Sequence, residues 1–246
     1  HTDHATVGVA HGHGCKHGFD GGVLLVGAFV LLAAWVLPGM WFASGQRFLR
    51  WGIGGAVVGA VVAALLGLWL ALGLSGMAAV PLLPVTDVHA AWGTLGWVVA
   101  LLASVSRVVA PMFQGMAAPP ERWHGLWHAV TCVALFAGLG VALHGIAPAW
   151  FRVAVGLSGL VFAGSGLLLQ ARAPRLRKAP LTGFWAAGFV AMAASALVLL
   201  GSDSSAVLVG ALTIGIGLPL LVAGMQLEIV AFLGWIELHR HCGKGV

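Results

Sequence analysis

DVHAAWGTLGWVVALLASVSRVVAPMFQ, residues 87–114, sets one histidine and one arginine into a segment suited to lipid. The 17 residues between His89 and Arg107 are almost all apolar or small. About 20 apolar residues can cross a bilayer as a helix, so the stretch reads as a span carrying two ionisable side chains. Such groups are costly in hydrocarbon and mark either a site or a buried pair.

The remainder of the chain supports a membrane reading. Of 246 residues, 60% are hydrophobic and 8% charged, against roughly 25% charged in a soluble domain. The expected fold class is all-α, a polytopic transmembrane helical bundle embedded in a lipid bilayer. The formal charge of +5 is therefore read through the loops and not as nucleic-acid binding. Cys15, Cys132 and Cys242 lie far apart and form no CxxC pair, which argues against a disulfide framework. Tyr and Asn are absent and Lys occurs only at 16, 178 and 244. That composition suggests a GC-rich bacterial genome and a place in the bacterial cytoplasmic (inner) membrane. The chain starts at His1 with no visible signal peptide, which is read as a removed leader or a start inside a longer protein.

Seven apolar runs are read as spans: Gly22–Phe42, Gly52–Met77, Val88–Met112, Gly125–His144, Pro148–Leu169, Leu181–Gly201 and Ala206–Trp235. The last is long for one straight span, and Pro219 is expected to kink it. Arg47, Arg50, Arg122, Arg172, Arg175, Arg177, Lys178, Arg240 and Lys244 fall on alternate loops, while the opposite side has only Lys16 and Arg152. The positive-inside rule then puts the N-terminus outside and the C-terminus in the cytoplasm. Three regions follow: a His-rich extracytoplasmic arm (1–21), the bundle (22–237) and a cytoplasmic tail (238–246). Gly55 and Gly59 form a GxxxG pair that lets helices approach closely. Trp41, Trp51, Trp92, Trp123, Trp127, Trp150 and Trp235 fall near predicted span ends, as an aromatic belt does.

The histidines sort by depth. His89 and His144 share the outer level, on spans three and four. His124 and His128 lie at the inner end of span four and share a face; His124 reads as interfacial. Neutral imidazole ligates haem iron and copper, so His89, His144 and His128 are candidate cofactor ligands. The alternative for each is an interfacial histidine bonded to a carbonyl or headgroup. Thr86 or Asp87 would cap the helix just before His89, and Gly93 and Gly96 would leave room beside it for a flat ring. In the arm, His1, His4, His11, His13, Cys15 and His17 suit weak copper or zinc binding; a disordered arm or purification artefact is the alternative. Arg107, roughly 27 Å along the helix from His89 at 1.5 Å per residue, is expected to pair with Glu228, the other charge within a span. Lipid-phosphate contact by a snorkelling Arg107 is the alternative.

HAAWGTLGW (89–97), with APMFQ (110–114) and EIVAFLGWIELH (228–239), resembles segments of bacterial membrane proteins related to the haem–copper oxidase catalytic subunit, including the family associated with nitric-oxide response. The resemblance implies a helical bundle holding haem b, possibly with copper, and carries His89 over as a ligand. This chain lacks a His-Pro-Glu motif, any tyrosine, and a His-x-His inside a span; HRH (239–241) falls in the cytoplasmic tail. Oxygen reduction by this chain alone is not expected. Three functions stay open: haem or copper binding in electron transfer or gas response, a copper-handling permease, and an accessory bundle working with other membrane subunits or a missing half. No nucleotide-binding loop or nucleophile constellation favours a hydrolase.

Overall fold

The computed structural model of the chain describes residues 4–42, 47–173, 180–201 and 205–242, with side chains from residue 19 in the first segment and from 182 in the third. Every regular element among them is helical. The helices are α1 (His4–Phe42), α2 (Arg47–Leu74), α3 (Leu82–Gln114), α4 (Glu121–Ala142), α5 (Ala149–Ala171), α6 (Pro180–Leu200) and α7 (Ala206–Cys242). Among the described residues, seven helices are long and apolar enough to cross a membrane. Large apolar side chains such as Leu24, Trp35, Phe42 and Val207 point outwards, as a lipid-facing surface requires and a water-facing one avoids.

Two helices contain π winding, at Trp92–Val99 in α3 and Ala211–Gly217 in α7. The second ends just before Pro219, which has no N–H to bond the carbonyl of Gly215. The helix nonetheless runs unbroken past Pro219 to Cys242. The expected arm is helical from His4 and continuous with the first span, and the expected tail is helical to Cys242. His1 lies outside the described residues, as do the side chains of His4, His11, His13, Cys15 and His17. Gly115 and Gly145, with φ of 71° and 75°, follow the ends of α3 and α4; this left-handed conformation suits glycine.

The chain divides into two compact units, one from His1–Ala100 and Val130–Phe151, the other from Leu101–Ala129 and Arg152–Val246. In the first unit, Gly52, Ala56, Gly59, Ala60, Ala63 and Ala64 of α2 are buried. Their helical spacing makes one face of small side chains, which lets the α3 backbone come close. At the crossing, a Cβ on Gly59 would run into the main chain of Gly96. Gly55 meets nothing, so only one half of the GxxxG pair is a contact. Trp92 and Leu95 fill the space beside the crossing, with Trp92 edge-on to Phe136 at 4.9 Å.

In the second unit, α6 packs on α7. Trp185 and Met192 meet the glycine face of α7, while Phe189 packs over Gly166 of α5. Leu221 sits over Gly188, Trp185 over Gly224 and Met192 over Gly217. Ser195 donates to the Val209 carbonyl at 3.1 Å. Since one hydroxyl has one proton to give, Thr213 is the donor in the 2.6 Å bond to Ser195. This bond ties the π winding of α7 to α6.

Candidate functional site

His89 lies seven residues into α3, roughly 10 Å from its start at 1.5 Å per residue, and is half-buried. The helix begins at Leu82, so Thr86 and Asp87 are inside it and cap nothing. Nδ1 of His89 is 3.0 Å from the carbonyl oxygen of Ala63 on α2. A carbonyl only accepts, so Nδ1 is the protonated donor. In the neutral ring the free lone pair is then on Nε2. The ring has room because residue 67 is glycine: a Cβ there would be 3.1 Å from Cε1. The room expected beside Gly96 is already filled by Gly59, Trp92 and Leu135, while the space at Gly93 is open. His144 is in the exposed turn after α4 and not on the helix, because the chain leaves α4 at Ala142 to make the Gly145 turn.

In the second unit, two polar clusters occupy α3. The first joins Ser104, Arg107, Glu121, His124 and His128. Glu121, His124 and His128 lie on one face of α4 at spacings of three and four. The two imidazoles meet Nε2 to Nε2 at 3.1 Å, and Ser104 Oγ is 3.4 Å from His128 Nε2. Expected at an interface, His124 is instead buried, since its face of α4 turns inwards. Arg107 lies 3.6 Å from Glu121, with side-chain exposures of 13% and 63%.

The expected pair of Arg107 with Glu228 is not formed. Glu121 stands at the start of α4, across the short link from α3, and reaches the guanidinium without leaving solvent. Glu228 has a neutral partner instead: Gln114 Nε2 donates to its Oε1 at 3.2 Å, and Gln170 Nε2 donates to Gln114 Oε1 at 3.1 Å. The three residues are 5%, 0% and 6% exposed. Oε2 of Glu228 is buried with no hydrogen-bond partner among the described residues. The indole of Trp185 lies beside the carboxyl without completing a bond. Sequence reasoning missed Gln114 and Gln170. The signal was weak: both lie one or two residues past the ends read for their spans, and only the longer helices, Leu82–Gln114 and Ala149–Ala171, bring them inside.

A cavity of about 130 Å³ is lined by Ser106, Trp123, His124, Trp127, Phe162 and Trp185 among others. Trp123, Trp41, Trp51, Trp150 and Trp235 are exposed, as belt residues are. Trp92 is buried, and Trp127 donates its indole N–H to the Ser158 carbonyl at 3.0 Å; both are packing residues. Among the described residues no three His, Cys, Asp or Glu side chains converge as a metal-binding group. Comparison with protein-family models, characterised proteins and solved structures finds no match to this chain.

Proposed function

We propose that the chain is a multi-pass protein of the bacterial cytoplasmic membrane that holds a haem b through His89, in electron transfer or gas response. The observation that carries this reading is the bond from His89 Nδ1 to the Ala63 carbonyl. Histidines that ligate a metal use such a bond to fix ring orientation and leave Nε2 as the donor. A haem suits a lone imidazole, because the macrocycle brings the four equatorial nitrogens and the protein adds only axial ligands. The donor chemistry at His89 fits that requirement. His144 is free of the helix, and Nε2 of His128 is engaged by His124 and Ser104, so His89 is the residue assigned. Bound haem would supply one-electron or gas-binding chemistry; His89 would hold and orient it. The orientation proposed is N-terminus outside, from the basic loops. The test is a reduced-minus-oxidised spectrum of protein purified from haem-supplied cells, with His89→Ala alongside. A haem band in the wild type that the variant loses is expected; a wild type without haem overturns the reading.

The facing Nε2 atoms of His124 and His128 favour copper as a second reading. Two imidazole nitrogens each about 2.0–2.1 Å from a metal, as at zinc, stand about 3 Å apart. Copper by elemental analysis that the His124→Ala, His128→Ala double variant loses supports it.

A further inference from the structure

We propose that Glu228 is an exchangeable proton-binding site inside the second unit, beside the cavity that Trp185 lines. The argument starts with cost. An ionised carboxylate without a counter-charge is expensive to bury. Glu228 is buried, and no cation pairs with it among the described residues. Its surroundings are polar but neutral: Gln114 from α3, Gln170 behind it from α5, and Trp185 from α6. Arg107 is seven residues before Gln114 and is engaged with Glu121. Arg172 is two residues beyond Gln170, and no charge interaction joins it to Glu228.

Hydrogen-bond directions sharpen the point. The chain Gln170 → Gln114 → Glu228 runs one way and ends on Oε1 as acceptor. Gln114 is thereby held with its NH₂ toward the carboxyl, which suits either protonation state. Oε2 completes no hydrogen bond among the described residues, the Trp185 indole being the other donor beside the carboxyl, and it is the atom proposed to take or release the proton. A structural carboxyl buried in this way would have both oxygens satisfied; an oxygen that completes no bond is open to a partner that comes and goes.

Access is on the page too. Gly224 is one turn before Glu228 on α7, on the same face. The Trp185 ring packs on Gly224, its Nε1 lying 3.0 Å from where a Cβ would be. The same ring lines the cavity, together with His124 and the hydroxyl-bearing Ser106 and Ser165. A water needs about 10–15 Å³ of such space and two to four polar partners; the volume admits one, and Ser106, Ser165 and His124 are the polar side chains on a wall that is otherwise mostly apolar. Trp185 therefore lies next to both the cavity and the Glu228 carboxyl, and the proton is proposed to enter along its ring.

The experiment uses the full chain in proteoliposomes. Dicyclohexylcarbodiimide, an apolar reagent, adds to protonated carboxylic acids and leaves carboxylates alone. The expected result is modification of Glu228 in mildly acidic buffer, lost in alkaline buffer and unaffected by sodium chloride at fixed pH. The exposed Glu121 and Glu237 remain unmodified throughout. Protection by sodium overturns the proposal, because the ligand is then a cation. Infrared difference spectra of wild type against Glu228→Gln decide the case where the reagent fails to enter. A carboxylic-acid C=O band that the variant lacks and that shifts in D₂O is expected. Absence of that band, or a band that does not shift, overturns the proposal. Glu228→Gln keeps the shape and the bond from Gln114, so its thermal unfolding should match the wild type; a large loss of stability marks a fixed carboxylate and also overturns it.

Discussion

The imidazole of His89 is tied to the main chain of a neighbouring helix, through the Ala63 carbonyl 3.0 Å from Nδ1. Because the acceptor is backbone, no side-chain change at Ala63 removes it. The sensitive position is Gly67, where a Cβ would press on Cε1. Gly67→Ala should cost about 1–3 kcal/mol through overpacking and reduce any haem retained. Thermal unfolding in detergent checks the first and the optical spectrum the second. A variant that melts with the wild type would show that the ring is not held there.

Two glycines of one motif should respond with opposite signs. Gly59→Ala drives a methyl into the Gly96 backbone, whereas a Cβ on Gly55 meets nothing. Gly59→Ala should destabilise by about 1–3 kcal/mol or more. Gly55→Ala should stabilise by about 0.5–1 kcal/mol, since alanine loses less backbone freedom in a helix. Equal effects in a denaturation series would rule out this crossing.

Gln114 makes two buried bonds and Gln170 one of them. Gln114→Ala leaves both Gln170 and Glu228 without their partner, at about 1–3 kcal/mol for each orphaned group. Gln170→Ala leaves only the Gln114 oxygen unpaired and should cost less. The ordering, together with a double-mutant cycle showing strong coupling, is the expected outcome; additive effects would argue against a continuous chain.

Arg107 and Glu121 make a half-exposed pair, so Glu121→Gln should cost no more than about 1 kcal/mol. Urea or thermal titrations of the purified variant give the number. A loss of several kcal/mol would mean that the glutamate is buried in the native bundle.

The basic loop over residues 172–178 is proposed to face the cytoplasm. Replacing Cys15, Cys132 and Cys242 by Ser and placing one cysteine at Ala173 makes the test. An impermeant maleimide should label it only after the membrane is breached. Labelling in intact cells would invert the topology.

Span number and approximate limits were readable because hydrocarbon leaves the backbone little choice: polar main-chain groups must bond within the helix. The Gly55–Gly59 pair pointed to a close approach on α2, but only Gly59 belongs to the buried small-residue face. The π windings were not readable. Ala91, Trp92 and Gly93 carry no signal for the longer hydrogen bonds, and reading Gly96 on a regular wheel from His89 therefore misjudged what stands beside the imidazole. Partner choice was hidden for a different reason. Charge counting offered Arg107 and Glu228 to each other, yet a buried carboxyl can be met by an amide, and an arginine near a helix end can find an exposed glutamate. Both outcomes depend on azimuth about the helix axis, which hydropathy does not encode.

The π winding at Ala211–Gly217 makes α7 a helix whose correctness depends on counting. Each residue turns the helix by about 100°. Deleting one residue there would leave hydropathy, length and charge almost as they are, and the segment would still pass any test for a membrane span. It would also swing everything downstream by more than a quarter turn, taking Gly224 from under Trp185 and carrying the carboxylate toward the acyl chains. A single lost codon, invisible to composition, is thus the mutation that this helix is least equipped to survive.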